Sequence, residues 1–182
     1  MMTPSKQAYR APAKALHWLV VLLVITQFIT ALLLPDIGPD VVPETVISLH
    51  FSFGVVILVV MAVRLVYRLL HPVPLEASES LRWERRLARA THRLFYLILL
   101  VGPFLGWASA SAHKLPVTVF DLIRLPDLAA PHAKWALTAG DIHIYMMWTL
   151  LGLVALHAGA ALFHHFFRHD GTLRRMLPVR GG

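Results

Sequence analysis

Four apolar runs constrain this chain more than any other feature: about Lys14–Leu34, Val46–Leu70, Arg89–Ala112 and Thr138–Phe167. Each reaches the ~20 residues needed to cross the hydrocarbon core of a bilayer. A soluble bundle would need a polar face on each helix, and a segment such as HWLVVLLVITQFITALLL has none. The expected fold class is therefore all-α: an integral membrane four-helix bundle, one domain over residues 1–182 with helices near 14–34, 46–70, 89–112 and 138–167. The first run is expected to stay as a helix. It exceeds a signal-peptide core, and LLLPDIGPD has no small-residue cleavage site.

The net charge of +7 is split between the two sides of such a bundle. The N-terminal segment, the loop between the second and third helices and the C-terminal tail, with their flanking helix ends, carry 14 basic and 4 acidic residues, a net +10. The other two loops carry Lys114, Arg124 and Lys134 against six carboxylates (Asp36, Asp40, Glu44, Asp121, Asp127 and Asp141), a net −3. This is the positive-inside distribution. It places both termini in the cytoplasm and turns the basic charge toward an anionic lipid leaflet rather than toward nucleic acid. The chain has no cysteine, which excludes disulfides, cysteine-ligated iron–sulfur clusters and covalently attached c-type haem.

The loops carry their own signals. LPDIGPDVVPE, with three prolines and a glycine, reads as a tight outer turn. In HPVPLEASESLRWERRLARATHR, Leu81, Trp83 and Leu87 are placed to rest on the inner interface, unless the stretch extends the third helix inward. The outer loop HKLPVTVFDLIRLPDLAAPHAKW is long and mixed enough to fold over the bundle end.

Histidines carry the chemistry. Ionisable side chains inside a membrane are costly and mark function. His143 and His157 are 14 residues apart on the fourth helix, roughly 40° short of four full turns and about 21 Å along the axis. They share a face but sit at opposite depths. His17, just inside the first helix, matches His157 on the inner side. His50, just inside the second, matches His143 on the outer side. Two bis-histidine layers suit two haems stacked across a bundle core. They fall short of tetrahedral zinc, which takes four ligands at one centre. Gly54, one turn after His50, and Gly159 with Ala160, just after His157, are small enough to admit a flat ring.

At this point the chain resembles the bacterial cytochrome b561 family, small four-helix membrane proteins that include superoxide oxidase. The matching stretches are LHWLVVLLV, LHFSFGVVILVVMAVRLVYRL, THRLFYLILLVGPFLGW and LHAGAALFHHFFRHDGTLRRMLP. The resemblance implies two haem b groups ligated here by His17, His50, His143 and His157, the bacterial inner membrane, and electron exchange with ubiquinone. For superoxide oxidase it implies oxidation of superoxide at the outer face. Arg64 is a candidate for a haem propionate. His164, one face-repeat after His157, and His92 are candidates for quinone contact. An anionic substrate favours a positive entrance, which Lys114, Arg124 and Lys134, with His113 and His132, are placed to form.

Three readings follow. The preferred one is a superoxide:ubiquinone oxidoreductase. The second makes the chain the cytochrome b subunit that links a soluble dehydrogenase or hydrogenase partner to the quinone pool. The third is a non-redox haem or metal carrier. All three share one topology, and reporter fusions at the C-terminus test it. A tail-fused fluorescent protein should be bright and a tail-fused alkaline phosphatase inactive; the reverse would exchange the inner and outer sides throughout.

Overall fold

The computed structural model describes residues 10–36, 44–72 and 81–177. Four helices dominate: α1 (Ala11–Leu32), α2 (Thr45–Leu70), α3 (Arg82–Ala112) and α4 (Lys134–Phe166). All four are long and apolar enough to cross a membrane. Pro12 sits in the first turn of α1, where its missing N–H would have no helical partner anyway. The middle of the turn between α1 and α2, most of the loop after α2 and the two chain ends lie outside the described residues.

The third helix begins seven residues before the expected start, so Trp83 and Leu87 lie in an N-terminal extension of α3, with Leu81 at its cap, rather than in a separate interfacial helix. Glu84 explains the early start. Its carboxylate accepts the Leu81 N–H at 2.9 Å, closing the first turn, and receives Arg168 from beyond α4 at 2.7 Å. At 1.5 Å per residue α3 and α4 are about 46 and 50 Å long, well beyond a hydrocarbon core.

Consecutive helices pack side by side: α1 on α2, α2 on α3, and α3 on α4. A central layer joins Val20, Leu23 and Val24 of α1 to Ile57 and Met61 of α2, Ile98 and Leu99 of α3 and Leu150 of α4. The α3–α4 contact at the hairpin end is made by Ala108, Ala112 and Ala136, small residues that let backbones approach where lipid supplies no hydrophobic drive between helices. The outward faces keep large apolar side chains such as Leu22, Val66 and Trp148 exposed, as a lipid-facing surface should.

One seam is open. No Cα of α4 comes within 8 Å of a Cα in α1 or α2. Ordinary packed helices have axes 8–10 Å apart and approach more closely than that.

The end of the bundle away from the termini is capped by the segment between α3 and α4. It contains a short antiparallel hairpin, β1 (Thr118–Val119) and β2 (Ile123–Arg124), with Thr118 opposite Arg124 and Val119 opposite Ile123. Its turn places Phe120 and Asp121 at φ of 49° and 57°, left-handed values that non-glycine residues hold only when their surroundings fix them. Here α2 fixes them. The Ser52 hydroxyl, fully buried, accepts the Phe120 N–H at 2.7 Å, and its own proton points to the Ser48 or Thr118 carbonyl. Ser48 and Thr118 donate to the Asp121 carboxylate at 2.6 and 2.9 Å, which holds that carboxyl below its usual range. Ser52 lies half a turn from His50, so the cap is fastened beside one candidate site.

Ser52→Ala should strand the Phe120 N–H and a carbonyl. The expected cost is about 1–3 kcal/mol, the penalty for an unmet buried polar group. It should appear as a lower Tm in detergent and as faster tryptic cleavage at Arg124, with Ser52→Thr less affected. Unchanged Tm and cleavage would show that the cap does not depend on this hydroxyl.

Candidate functional site

Both histidine layers face the open seam. At the hairpin end His50 projects from the second turn of α2 toward α1. There the Thr30 hydroxyl donates to the Gln27 carbonyl at 3.0 Å, so its oxygen is left to accept from His50 Nδ1 at 3.2 Å. That assigns the proton to Nδ1. The Gln27 amide nitrogen lies 3.1 Å from His50 Nε2 and 3.1 Å from the His50 carbonyl, and it donates to both. Nε2 therefore carries the lone pair, as a metal-binding imidazole requires. The Gln27 Oε1 is buried without a partner, a polar atom left over at the edge of the seam.

On the other side of the seam His143 is held by α3. Its Nδ1 donates to the Gly102 carbonyl at 2.8 Å, so its Nε2 is also free of a proton. The ring fits because α3 has no side chains there. A Cβ on Gly106 would lie 3.2 Å from His143 Cε1, and one on Gly102 would lie 2.9 Å from Met147 Cε. His50 and His143 are close enough to act on each other electrostatically.

At the terminal end the rings of His17 and His157 meet edge to face, 6.3 Å between centres. An atom held between two imidazoles by metal–nitrogen bonds of ~2 Å sets ring centres roughly 6 Å apart. Arg64 reaches from α2 to place Nη2 3.3 Å from His17 Nδ1. Phe95 and His92 of α3 flank His157, with ring centres 5.4 and 5.5 Å away. His92 donates from Nδ1 to the Ala88 carbonyl at 2.6 Å. Among the described residues no three metal-binding side chains converge on one point.

The remaining residues singled out by sequence are placed as follows. His164 does not join this cluster. It pairs with Asp170 at 2.5 Å, where desolvation alone would raise the carboxyl but bonds from Thr172 and His164 hold it down at about 2. Gly159 lies two residues past His157, about 200° round the helix, and a Cβ there would meet nothing. It faces outward and does not line the seam, a correction to the expectation from sequence. Lys114, just past α3, and Lys134, at the start of α4, flank the corner where the His132 N–H bonds to the Ala112 carbonyl. Arg124 stands on β2 and pairs loosely with Asp127 at 3.8 Å. Gln27, Thr30, Gly102 and Gly106 were not anticipated as site residues. Gln27, the lone amide in the first apolar run, and the four-residue glycine spacing in VGPFLGW were the available signals.

The sequence profile of the prokaryotic cytochrome b561 family matches residues 8–179. This chain belongs to that family. It is thus a multi-pass protein of the bacterial inner membrane, in a family of haem-b electron-transport oxidoreductases. It is 29% identical to cytochrome b561 homolog 2 of Escherichia coli K12 over 96% of this chain and 94% of that protein. It is 31% identical to the probable superoxide oxidase CybB of Yersinia pestis over 92% of this chain and 94% of that one. The residues present fit the family's haem b. The seam is flanked by imidazoles from both sides, glycines make room for His143, and the Nε2 atoms of His143 and His50 are unprotonated, that of His50 accepting from the Gln27 amide, which would have to release it to a metal.

Gly106→Val should press on the His143 ring and lower the haem-to-polypeptide ratio of the purified protein. Gly152→Val, on the opposite face of α4 with open space around it, should leave that ratio unchanged. Equal loss in both variants would mean that added bulk on either α3 or α4 disturbs the bundle and that the glycine cradle is not specific.

Proposed function

We propose that the protein carries two haem b groups and passes electrons from superoxide at the periplasmic face to ubiquinone. The carrying observation is the pair of histidine layers at opposite ends of one open seam. His50 and His143 would hold one group at the hairpin end, and His17 and His157 the other at the terminal end. Arg64, beside His17, is placed to pair with a carboxylate of the macrocycle by a charge-assisted bond. Bound haem supplies reversible one-electron chemistry at the iron. The chain supplies position and environment. His143 and His50 are turned into the seam by Gly102 and Thr30. The central layer around Leu23, Met61, Leu99 and Leu150 keeps water out between the two sites.

The charge split puts the terminal end in the cytoplasm and the hairpin end at the periplasm. Each superoxide gives up one electron there and leaves as oxygen. Two electrons and two protons convert ubiquinone to ubiquinol. We assign proton supply and quinone contact to the terminal end, where His92 lies beside His157 and His164 shares a hydrogen bond with Asp170. The likeness to a probable superoxide oxidase supports superoxide as donor, and Lys114 and Lys134 at the cap corner supply local positive charge against a side that is negative overall.

A second reading is favoured by the cap itself. Leu122 and Ile123 at the hairpin tip are 86% and 61% exposed. A soluble dehydrogenase or hydrogenase docking there would deliver electrons to the same outer layer.

Haem quantification should give two groups per chain. His50→Ala and His143→Ala should remove one spectral component, and His17→Ala and His157→Ala the other. Pulsed superoxide in a stopped-flow instrument should reduce the wild type at a rate that falls with salt and with Lys114→Glu or Lys134→Glu, since surface steering is screened over ~8 Å at physiological ionic strength. A slow rate indifferent to both would transfer the role of donor to a docked partner. One haem per chain would remove a layer.

A further inference from the structure

The two histidine layers differ in what touches their second nitrogens. At the hairpin end both Nδ1–H groups meet acceptors: the Thr30 hydroxyl oxygen at 3.2 Å for His50 and the Gly102 carbonyl at 2.8 Å for His143. At the terminal end His17 Nδ1 meets Arg64 Nη2 at 3.3 Å. A guanidinium has five N–H donors and no acceptor, so His17 Nδ1 accepts here and the ring's proton sits on Nε2; a His17 holding a metal through Nε2 would carry that proton on Nδ1 and turn Arg64 aside, leaving the guanidinium as a fixed positive charge next to this layer. Arg64 also acts electrostatically on His157 and His92, and Arg68 on His92. Among the described residues no Lys or Arg acts on His50 or His143 in this way.

We propose that this asymmetry fixes the direction of electron transfer, by giving the terminal-end site the higher midpoint potential and the hairpin-end site the lower one. The inference rests on the two-haem reading above. An acceptor on Nδ1–H makes an imidazole a stronger donor to its metal, which favours the oxidised state. A fixed cation in a weakly screened interior favours whichever state holds the extra electron. Thr30 and Gly102 therefore depress the potential at one end, and Arg64 raises it at the other. If Arg64 turns from His17 to a haem carboxylate, the sign is the same, because its removal leaves that carboxylate's charge uncompensated. With both groups bound, this gap would bias a shared electron from the hairpin-end site toward the terminal-end site, with no bond formed or broken and no part of the chain moved.

The test is an anaerobic redox titration of the loaded, detergent-solubilised protein. The upper component should vanish in His17→Ala. Should that variant not accumulate, His50→Ala must remove the lower component and makes the same assignment. Arg64→Gln should lower the upper component alone, shifting the one-electron distribution between the sites by about tenfold or more, the scale of a unit charge removed from a partly buried neighbourhood. Arg64→Lys should stay near wild type. Thr30→Val should raise the lower component alone, and Thr30→Ser should restore it. A role for Thr30 in packing alone would change haem content or Tm without moving one potential selectively. An upper component assigned to the His50 layer overturns the proposal, as does an unchanged gap in Arg64→Gln. A chain that takes up fewer than two haems overturns the two-haem reading, and this inference with it, and is recognised from the haem count before any titration.

Discussion

The structure depends on keeping α4 away from α1 and α2 while holding it firmly to α3. In lipid, helices gain little from apolar contact alone, so a stand-off seam would close or drift unless both ends of α4 were fixed. At the hairpin end Ala108, Ala112 and Ala136 interlock α3 with α4. At the terminal end Arg168, just past α4, bonds to Glu84 at the start of α3. Between these clamps the backbone of α4 stands off from α1 and α2 while its side chains, His157 and Leu150 among them, reach theirs. The glycines of α3 serve the same end, since they let His143 bond to the helix backbone instead of being pushed aside.

Much of the architecture was legible because hydropathy and charge are additive along a chain. Run length gave the four spans, and the lopsided basic residues gave an orientation. The 14-residue interval on α4 and the depth of His17 and His50 indicated which rings share a layer, and His17 and His157 do lie together. What the pattern did not reveal depends on partners distant in sequence. Thr30 faces His50 only because α1 and α2 pack in one rotation. Glu84 starts α3 early because Arg168 arrives from beyond α4. The hairpin turn carries Phe120 and Asp121 rather than Gly and Asn, so it has no turn signature of its own. Its geometry is imposed by Ser52, nearly seventy residues upstream.

His164 shows the limit of helical arithmetic. Seven residues after His157 puts it on nearly the same face, and that much could be read from spacing. Its commitment to Asp170 could not, because α4 ends at Phe166 and the chain turns back. The pair couples the end of the last helix to the tail, and any ligand that approaches His164 meets a ring already hydrogen-bonded on one side.

The indole of Trp18 donates to the carbonyl of Met176 at 2.7 Å, across 158 residues of sequence. Trp18 is the neighbour of His17 on α1, whereas Met176 lies beyond the end of α4. Half of each histidine layer also comes from α4. During synthesis, α1 and α2 therefore precede their partners with unmatched imidazoles, and neither layer is complete before α4 is made. Any group held between the paired imidazoles therefore has to wait for α4, whatever the order in which the other helices settle in the bilayer.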